Sequence, residues 1–249
     1  MSLRRAVLAA AGIAAGVAAL IIVIGVMGGL QKGYIDSILE ISSFHLRVSS
    51  PEPLGQSSLS ALRSIQGVRS ALRFKETQVL AIGPSGSTMS LSLRAFEPGS
   101  EAFDPGLAAA LGLTGGEKLP FSTGLNLGKE AAAALGADPG SKIRLFGMRQ
   151  TEDEGVVPVS LEVGVESLFA SGYYEFDSSM AFLSFEEKEA FDQLFGASDW
   201  LVGIKLDRRF DVQRMGAAIG AALGPGDWEL VSWREYNRSF FGALRTEKT

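Results

Sequence analysis

The sequence predicts an α+β protein in which a single N-terminal transmembrane helix is followed by a bilobed core, a lobe of βαβ type into which a β-rich lobe is inserted. Three observations predict it. Residues 6–30 carry no charged or strongly polar side chain. Two β-α-β patterns flank a glycine-rich middle. Of the 249 residues 46% are hydrophobic and 20% are charged, which is enough apolar material for a sizeable core and excludes wholesale disorder.

At about 1.5 Å per residue the apolar run makes roughly 37 Å of helix, which crosses a hydrocarbon layer of about 30 Å with some tilt. A cleaved signal has an apolar stretch of about 7–15 residues ending at small residues. Here the run is longer and ends in Val26-Met27-Gly28-Gly29-Leu30 before Gln31-Lys32, so it reads as a retained membrane helix. Arg4 and Arg5 precede it and Lys32 alone follows it closely, which places the N-terminus in the cytoplasm and the rest of the chain outside it. Gly12 and Gly16, and again Gly25 and Gly29, set small residues four apart, a spacing that lets a second helix approach closely. Glycine and alanine are also common in membrane helices for composition alone, and the sequence leaves both readings open. Tyr34, Ile35, Ile38, Leu39 and Ile41 continue the helical spacing with Lys32, Asp36 and Glu40 on another face, so the helix is expected to leave the bilayer as a stalk.

Beyond the stalk, residues 44–48 alternate as a strand, 57–65 read as a short helix, and 68–82 and 88–96 are strands joined across Gly83-Pro84-Ser85-Gly86. Near the other end, 200–206 and 228–232 are strands around a helix at 212–223. Each helix must bury its apolar stripe against the flanking strands, hence an α+β sheet with helices on one face. The middle predicts a helix at 128–135 and strands at 142–146, 158–165 and 180–185, with a long polar bridge from Gly147 to Gly155. The organisation is therefore 1–43 for span and stalk, 44–97 and 180–240 for the two parts of the βαβ lobe, 98–179 for the inserted lobe, and 241–249 for the approach to a further span.

Composition removes most chemistry. There is no cysteine, hence no disulfide, thiolate metal site or cysteine nucleophile, and the single histidine, His45, excludes sites needing two imidazoles. Downstream of Arg4 and Arg5, 21 basic residues face 28 acidic ones, which argues against a nucleic-acid partner. Gly112-Leu113-Thr114-Gly115-Gly116-Glu117-Lys118 has the wrong spacing for a phosphate loop, and no G-x-S-x-G elbow occurs. His45 as a general base, and Glu152, Asp153 and Glu154 as cation ligands, are outweighed by a packed imidazole and a solvated loop tip. Neither a cofactor nor a catalytic or metal site is predicted.

A resemblance carries more. The run from Gly16 to Val23, Val26-Met27-Gly28-Gly29-Leu30-Gln31, then Ile38-Leu39 and His45 resemble the first span and stalk end of the lipoprotein-releasing ABC transporter permeases, the LolC/LolE family. Leu127-Gly128-Lys129-Glu130-Ala131, Leu135-Gly136, Pro139-Gly140, the run from Phe169 to Asp177, and Trp233-Arg234 with the run from Phe240 to Lys248 resemble later segments in the same order. The resemblance implies an inner-membrane permease with a MacB-like periplasmic core. It also implies a second permease subunit and a cytoplasmic ATPase as partners, lipoprotein as cargo, and a periplasmic lipoprotein carrier.

By the same likeness, the hairpin tip from Met148 to Pro158 is the carrier-facing element, making Arg144, Met148, Arg149 and Pro158 its candidate contacts. Here an acidic Glu152-Asp153-Glu154 stands where the family has a more apolar tip. The first span lines the lipoprotein cavity in the family, which makes Val23, Met27, Leu30 and Tyr34 candidate acyl-chain contacts; ordinary lipid or helix packing accounts for the same residues. Past the position of Thr249 the family continues with three more spans and a segment that meets the ATPase, so a truncated chain, a split gene product or a degenerate subunit are all expected alternatives. Two other functions stay open: the core of a MacB-like efflux permease, or a singly anchored binding or scaffold module.

Overall fold

A computed structural model describes residues 3–97, 100, 104–112, 124–151, 155–184, 188–195 and 198–238. The first helix, α1, runs Leu3–Ser37 and passes without a break into one wider π-helical turn, Ile38–Ser43. By length and composition it is the one helix among the described residues able to cross a membrane, within Ala10–Ser43. Its apolar side chains confirm the reason for the prediction, since they are exposed along the whole run: Leu8, Ile13, Ile21 and Leu30 all show more than 60% of their surface.

The folded part follows as β1 (Leu46–Ser50), α2 (Gln56–Ser64), β2 (Val68–Ile82), β3 (Thr88–Phe96), α3 (Pro105–Ala110), β4 (Leu125–Gly128), α4 (Lys129–Leu135), β5 (Lys142–Thr151), β6 (Gly155–Phe169), α5 (Tyr174–Ser179), β7 (Met180–Ser184), α6 (Lys188–Phe195), β8 (Trp200–Leu206), α7 (Val212–Leu223), β9 (Glu229–Ser232) and α8 (Trp233–Tyr236). The strands form one sheet in the order β3-β7-β4-β6-β5-β2-β8-β1-β9, and β3 pairs back onto β2. Six strands therefore close into a barrel, while β8, β1 and β9 extend the sheet as an open wing from the first half of β2. All pairs are antiparallel except β3–β7 and β4–β6. The fifteen-residue β2 serves both parts, with Val68–Phe74 against β8 and Leu80–Ile82 against β5.

Side-chain alternation divides the core accordingly. The barrel is filled by Val79, Ala81, Leu91, Leu93, Ile143 and Leu145 among others, with Leu135 of α4 and Leu194 and Phe195 of α6 packed against the same cluster. On the wing, Leu46, Val48, Ala71, Val202, Ile204 and Leu206 face Leu59 and Leu62 of α2 and Val212, Met215 and Ile219 of α7. The turn after β2 is the predicted one, closed by hydrogen bonds from Gly83 N to Ser87 O (2.9 Å) and from Gly86 N to Gly83 O (3.0 Å). Gly83 is required there by close approach, because a Cβ would lie 1.9 Å from Leu135 O.

Several elements differ from expectation. β5 and β6 run on through most of the expected bridge, to Thr151 and from Gly155, because alternation persists past Gly147 and Val156 and Val157 are strand formers. The strand β4 and the helices α3, α5, α6 and α8 are unexpected. They are four to eight residues long, too short for periodicity to declare them.

Candidate functional site: stalk joint, membrane helix and projecting hairpin

The joint is where α1 meets the sheet. A helix end leaves carbonyls without partners, and here the last ones lie inside the protein, where water cannot serve them. Two arginines do so instead. Arg94 of β3, 1% exposed, donates from Nη1 to Ile41 O (2.7 Å) and from Nη2 to Ser42 O (2.9 Å). Arg47 of β1 donates from Nε to Ser43 O (3.2 Å) and also bonds Ser42 O. Their charge is balanced by Glu76 of β2, whose Oε2 accepts from Arg94 Nε at 2.9 Å and lies 3.6 Å from Arg47. Burial disfavours the charged Glu76 carboxylate, but Arg94 and Arg47 outweigh it and hold the group below the usual carboxylate range.

A second buried group lies beside the first. Lys205 of β8, wholly buried, is 2.9 Å from Glu40 on the π-helical turn and 2.6 Å from Asp104, which is 1% exposed. Between the two groups sits Phe44, fully buried, in aromatic contact with Phe74 at 5.2 Å and beneath the cations of Arg94 and Lys205. Its backbone has φ 57° and ψ 178°, a region ordinarily open to glycine alone. The facing strand makes room with Gly203, where a Cβ would lie 2.5 Å from the Phe44 ring. The chain thus leaves the helix through a strained residue gripped on every side. Sequence reading missed this network. Its signal was a single charge inside an otherwise buried strand run, Leu93-Arg94-Ala95-Phe96 and Ile204-Lys205-Leu206.

His45 is next in the chain and is 5% exposed. Its Nδ1 accepts from Leu206 N at 2.7 Å, the hydrogen-bonded imidazole at the base of the sheet that residue types favoured. Burial pushes the imidazole down to about 4. An unfolded histidine titrates near 6.5, so as pH falls through the interval from about 6.5 to 4 the unfolded chain takes up a proton that the folded chain refuses. Stability is thus lost on acidification across that window, by up to about 3 kcal/mol. Glu76 extends the loss, since its contribution is complete above about pH 4.5 and disappears as pH drops through its lowered value. We expect the melting temperature of the full chain to fall between about pH 7 and 5 and His45→Gln to flatten that profile. Parallel profiles for the two proteins would remove His45 as the cause.

The span candidates separate into two groups. Val23, Met27 and Leu30 are exposed on α1. Tyr34 lies on the same helical face, since steps of 100° per residue bring all four within about 60°. It nevertheless turns to the domain, with its ring 5.9 Å from Tyr173 and 6.4 Å from Phe176 and its hydroxyl bonded to Glu175 of α5. A Cβ at Gly12, Gly16, Gly25 or Gly29 would meet nothing within 4 Å, so neither small-residue seam is filled among the described residues.

The hairpin candidates also separate. β5 pairs β6 from Lys142↔Gly164 to Thr151↔Gly155, while β2 covers only Arg144, Leu145 and Phe146. The outer end projects. Arg144, Met148 and Pro158 are exposed, with Met148 opposite Pro158, and strand parity places them on the solvent face. Arg149 has the opposite parity, with Ile143 and Leu145, and its Nε is buried without a hydrogen-bond partner among the described residues. The acidic stretch Glu152-Asp153-Glu154 lies outside the described residues. Among the described residues no group of three or more metal-binding side chains occurs.

Fold and joint together define a class: a mixed α/β domain carried on an apolar helix and locked to the end of it by buried charge. The chain belongs to the family of the MacB-like periplasmic core domain, which matches residues 6–221. It is similar to the lipoprotein-releasing system transmembrane protein LolC of Xylella fastidiosa (strain Temecula1 / ATCC 700964), 30% identical over 246 residues that cover 96% of this chain and 57% of that protein. LolC of Neisseria meningitidis serogroup B is 27% identical over 247 residues, with 96% and 58% covered. The chain thus spans a little over half the length of these curated relatives. Among solved structures, the periplasmic region of MacB from Actinobacillus actinomycetemcomitans is 11% identical, covering 82% of this chain and 95% of that one with a TM-score of 0.43.

Proposed function

We propose that the chain is a non-catalytic permease component of an ABC transporter that extracts lipoproteins from the inner membrane and passes them to a periplasmic carrier. The observation that carries this reading is the similarity to two lipoprotein-releasing transmembrane proteins along 96% of the chain, span and domain alike. In it, α1 crosses the inner membrane with its N-terminus in the cytoplasm and the domain lies in the periplasm, as the basic residues before the span favour. Its partners are a second permease subunit, which the open glycine seams suit, and a cytoplasmic ATPase that supplies hydrolysis. Val23, Met27 and Leu30 line the path of the acyl chains, and Tyr34 closes that stripe against α5. Arg144, Met148 and Pro158 form the carrier-facing surface, with Arg149 behind them.

The joint gives this reading its mechanics. A buried, strained and charge-locked connection transmits a tilt of α1 to the barrel without a flexible element, so movement in the bilayer becomes movement of the projecting hairpin. The test is photocrosslinking in the complete complex. A crosslinker at Met27 is expected to capture lipoprotein and one at Met148 the carrier; capture of neither overturns the reading. Capture at Met148 of a periplasmic adaptor of an efflux assembly would assign the chain to MacB-like efflux instead.

A further inference from the structure

An open cleft of about 650 Å³ lies at the foot of the stalk, lined by Lys32, Asp36 and Glu40 of the helix, by His45, and by the β8–α7 loop. Its height is set by the chain. Lys32 and Asp36 follow Leu30, the last residue of the uncharged run, by two and six positions, or about 3 and 9 Å of helix, which bracket a headgroup layer of about 5–7 Å. Its side is set as well, since Lys32 and Asp36 lie on roughly the opposite face of α1 from Val23, Met27 and Leu30.

Most charges in the cleft are already matched. Arg69 pairs with Glu40, Arg209 with Asp36, and Asp211 with Arg214. What remains is Lys32 and Arg208, two cations without an ion-pair partner among the described residues, and Asp207, a carboxylate in the same state. At the back, His45 lines the cleft, is 95% buried and spends Nδ1 as an acceptor, which makes Nε2 its protonated, donating nitrogen. At the rim Phe210 is 61% exposed, with Arg209 and Arg234 against its ring, an aromatic flanked by cations as at membrane interfaces. Two free cations and a buried donor suit a phosphate; the free carboxylate suits an ammonium on the same ligand.

We infer that this cleft holds the headgroup of an ethanolamine phospholipid of the leaflet next to the domain. Lys32, Arg208 and the His45 Nε2–H take the phosphate, Asp207 takes the ammonium, and Phe210 enters the interface beside it. The lipid wedges between membrane surface and domain, fixing the height of the domain above the bilayer. The site rests on the reading of α1 as a membrane span and is independent of the cargo.

The test is native mass spectrometry of the full chain released from nanodiscs containing equal amounts of phosphatidylethanolamine, phosphatidylcholine and phosphatidylglycerol with identical acyl chains. One phosphatidylethanolamine per chain is expected to be retained several-fold over either competitor, since a methylated ammonium donates no hydrogen bond and a glycerol headgroup brings no cation to Asp207. Lys32→Gln with Arg208→Gln should cut that retention at least fivefold, and Asp207→Asn should abolish the preference over phosphatidylglycerol. All three positions are exposed, so the variants keep the fold. Equal retention of the three lipids, or retention unchanged in the variants, overturns the site while leaving the span intact. A chain that fails to enter the nanodisc fraction removes the span and the site together.

Discussion

Arg94→Met should destabilise the domain by about 3–5 kcal/mol, read by urea unfolding of the full chain in nanodiscs with its tryptophans as reporters. The substitution preserves apolar volume, so the loss does not come from a cavity. It comes from the Ile41 and Ser42 carbonyls, left buried without one of their donors, and from Glu76, which loses its hydrogen bonds from Arg94 and keeps Arg47 at 3.6 Å. Adding Glu76→Gln should deepen the loss, because Arg47 is then the buried charge left without its carboxylate. A loss below about 1 kcal/mol would mean that water reaches these groups and that the joint is not dry.

Phe44 gives the second large effect. Phe44→Ala should cost about 3–5 kcal/mol, as truncation of a fully buried ring does. The sharper expectation lies in a reversed order. Glycine normally destabilises relative to alanine by about 0.5–1 kcal/mol. At φ 57° and ψ 178° it should instead be better than alanine by about 1–3 kcal/mol, because only glycine adopts that backbone without strain. If Phe44→Gly unfolds at lower urea than Phe44→Ala, the backbone there is not held in the strained region.

Much of the fold was legible where burial is one-sided. β2, β3, β8 and α7 follow from alternation or helical spacing, with Gly and Pro marking their ends, because each faces one core and one other environment. The membrane helix was legible because a lipid face admits no charge for some 37 Å. The barrel was not. β4 is four buried residues, whose continuous burial carries no period, and closure depends on β3 meeting β7 from nearly ninety residues away. The site divides in the same way. Exposed residues of the span and hairpin could be named from type and order, whereas the joint depends on Arg94, Lys205 and Glu76 arriving from different strands. Tyr34 and Arg149 show the limit of neighbourhood in sequence: each sits beside its expected companions and points elsewhere, Tyr34 to α5 and Arg149 to the inner side of its hairpin.

The double service of β2 bears on how such a molecule can diversify. Because one uninterrupted strand is staved into the barrel at one end and hemmed by the wing at the other, deleting or grafting the whole middle segment would leave Val79, Ala81, Leu91 and Leu93 beside raw, sticky edges. Wholesale exchange of that module would cost the barrel its closure. What can vary is the far end of the β5–β6 ribbon, whose backbone among the described residues pairs only with itself past Phe146, so a side chain there can change without disturbing a third strand.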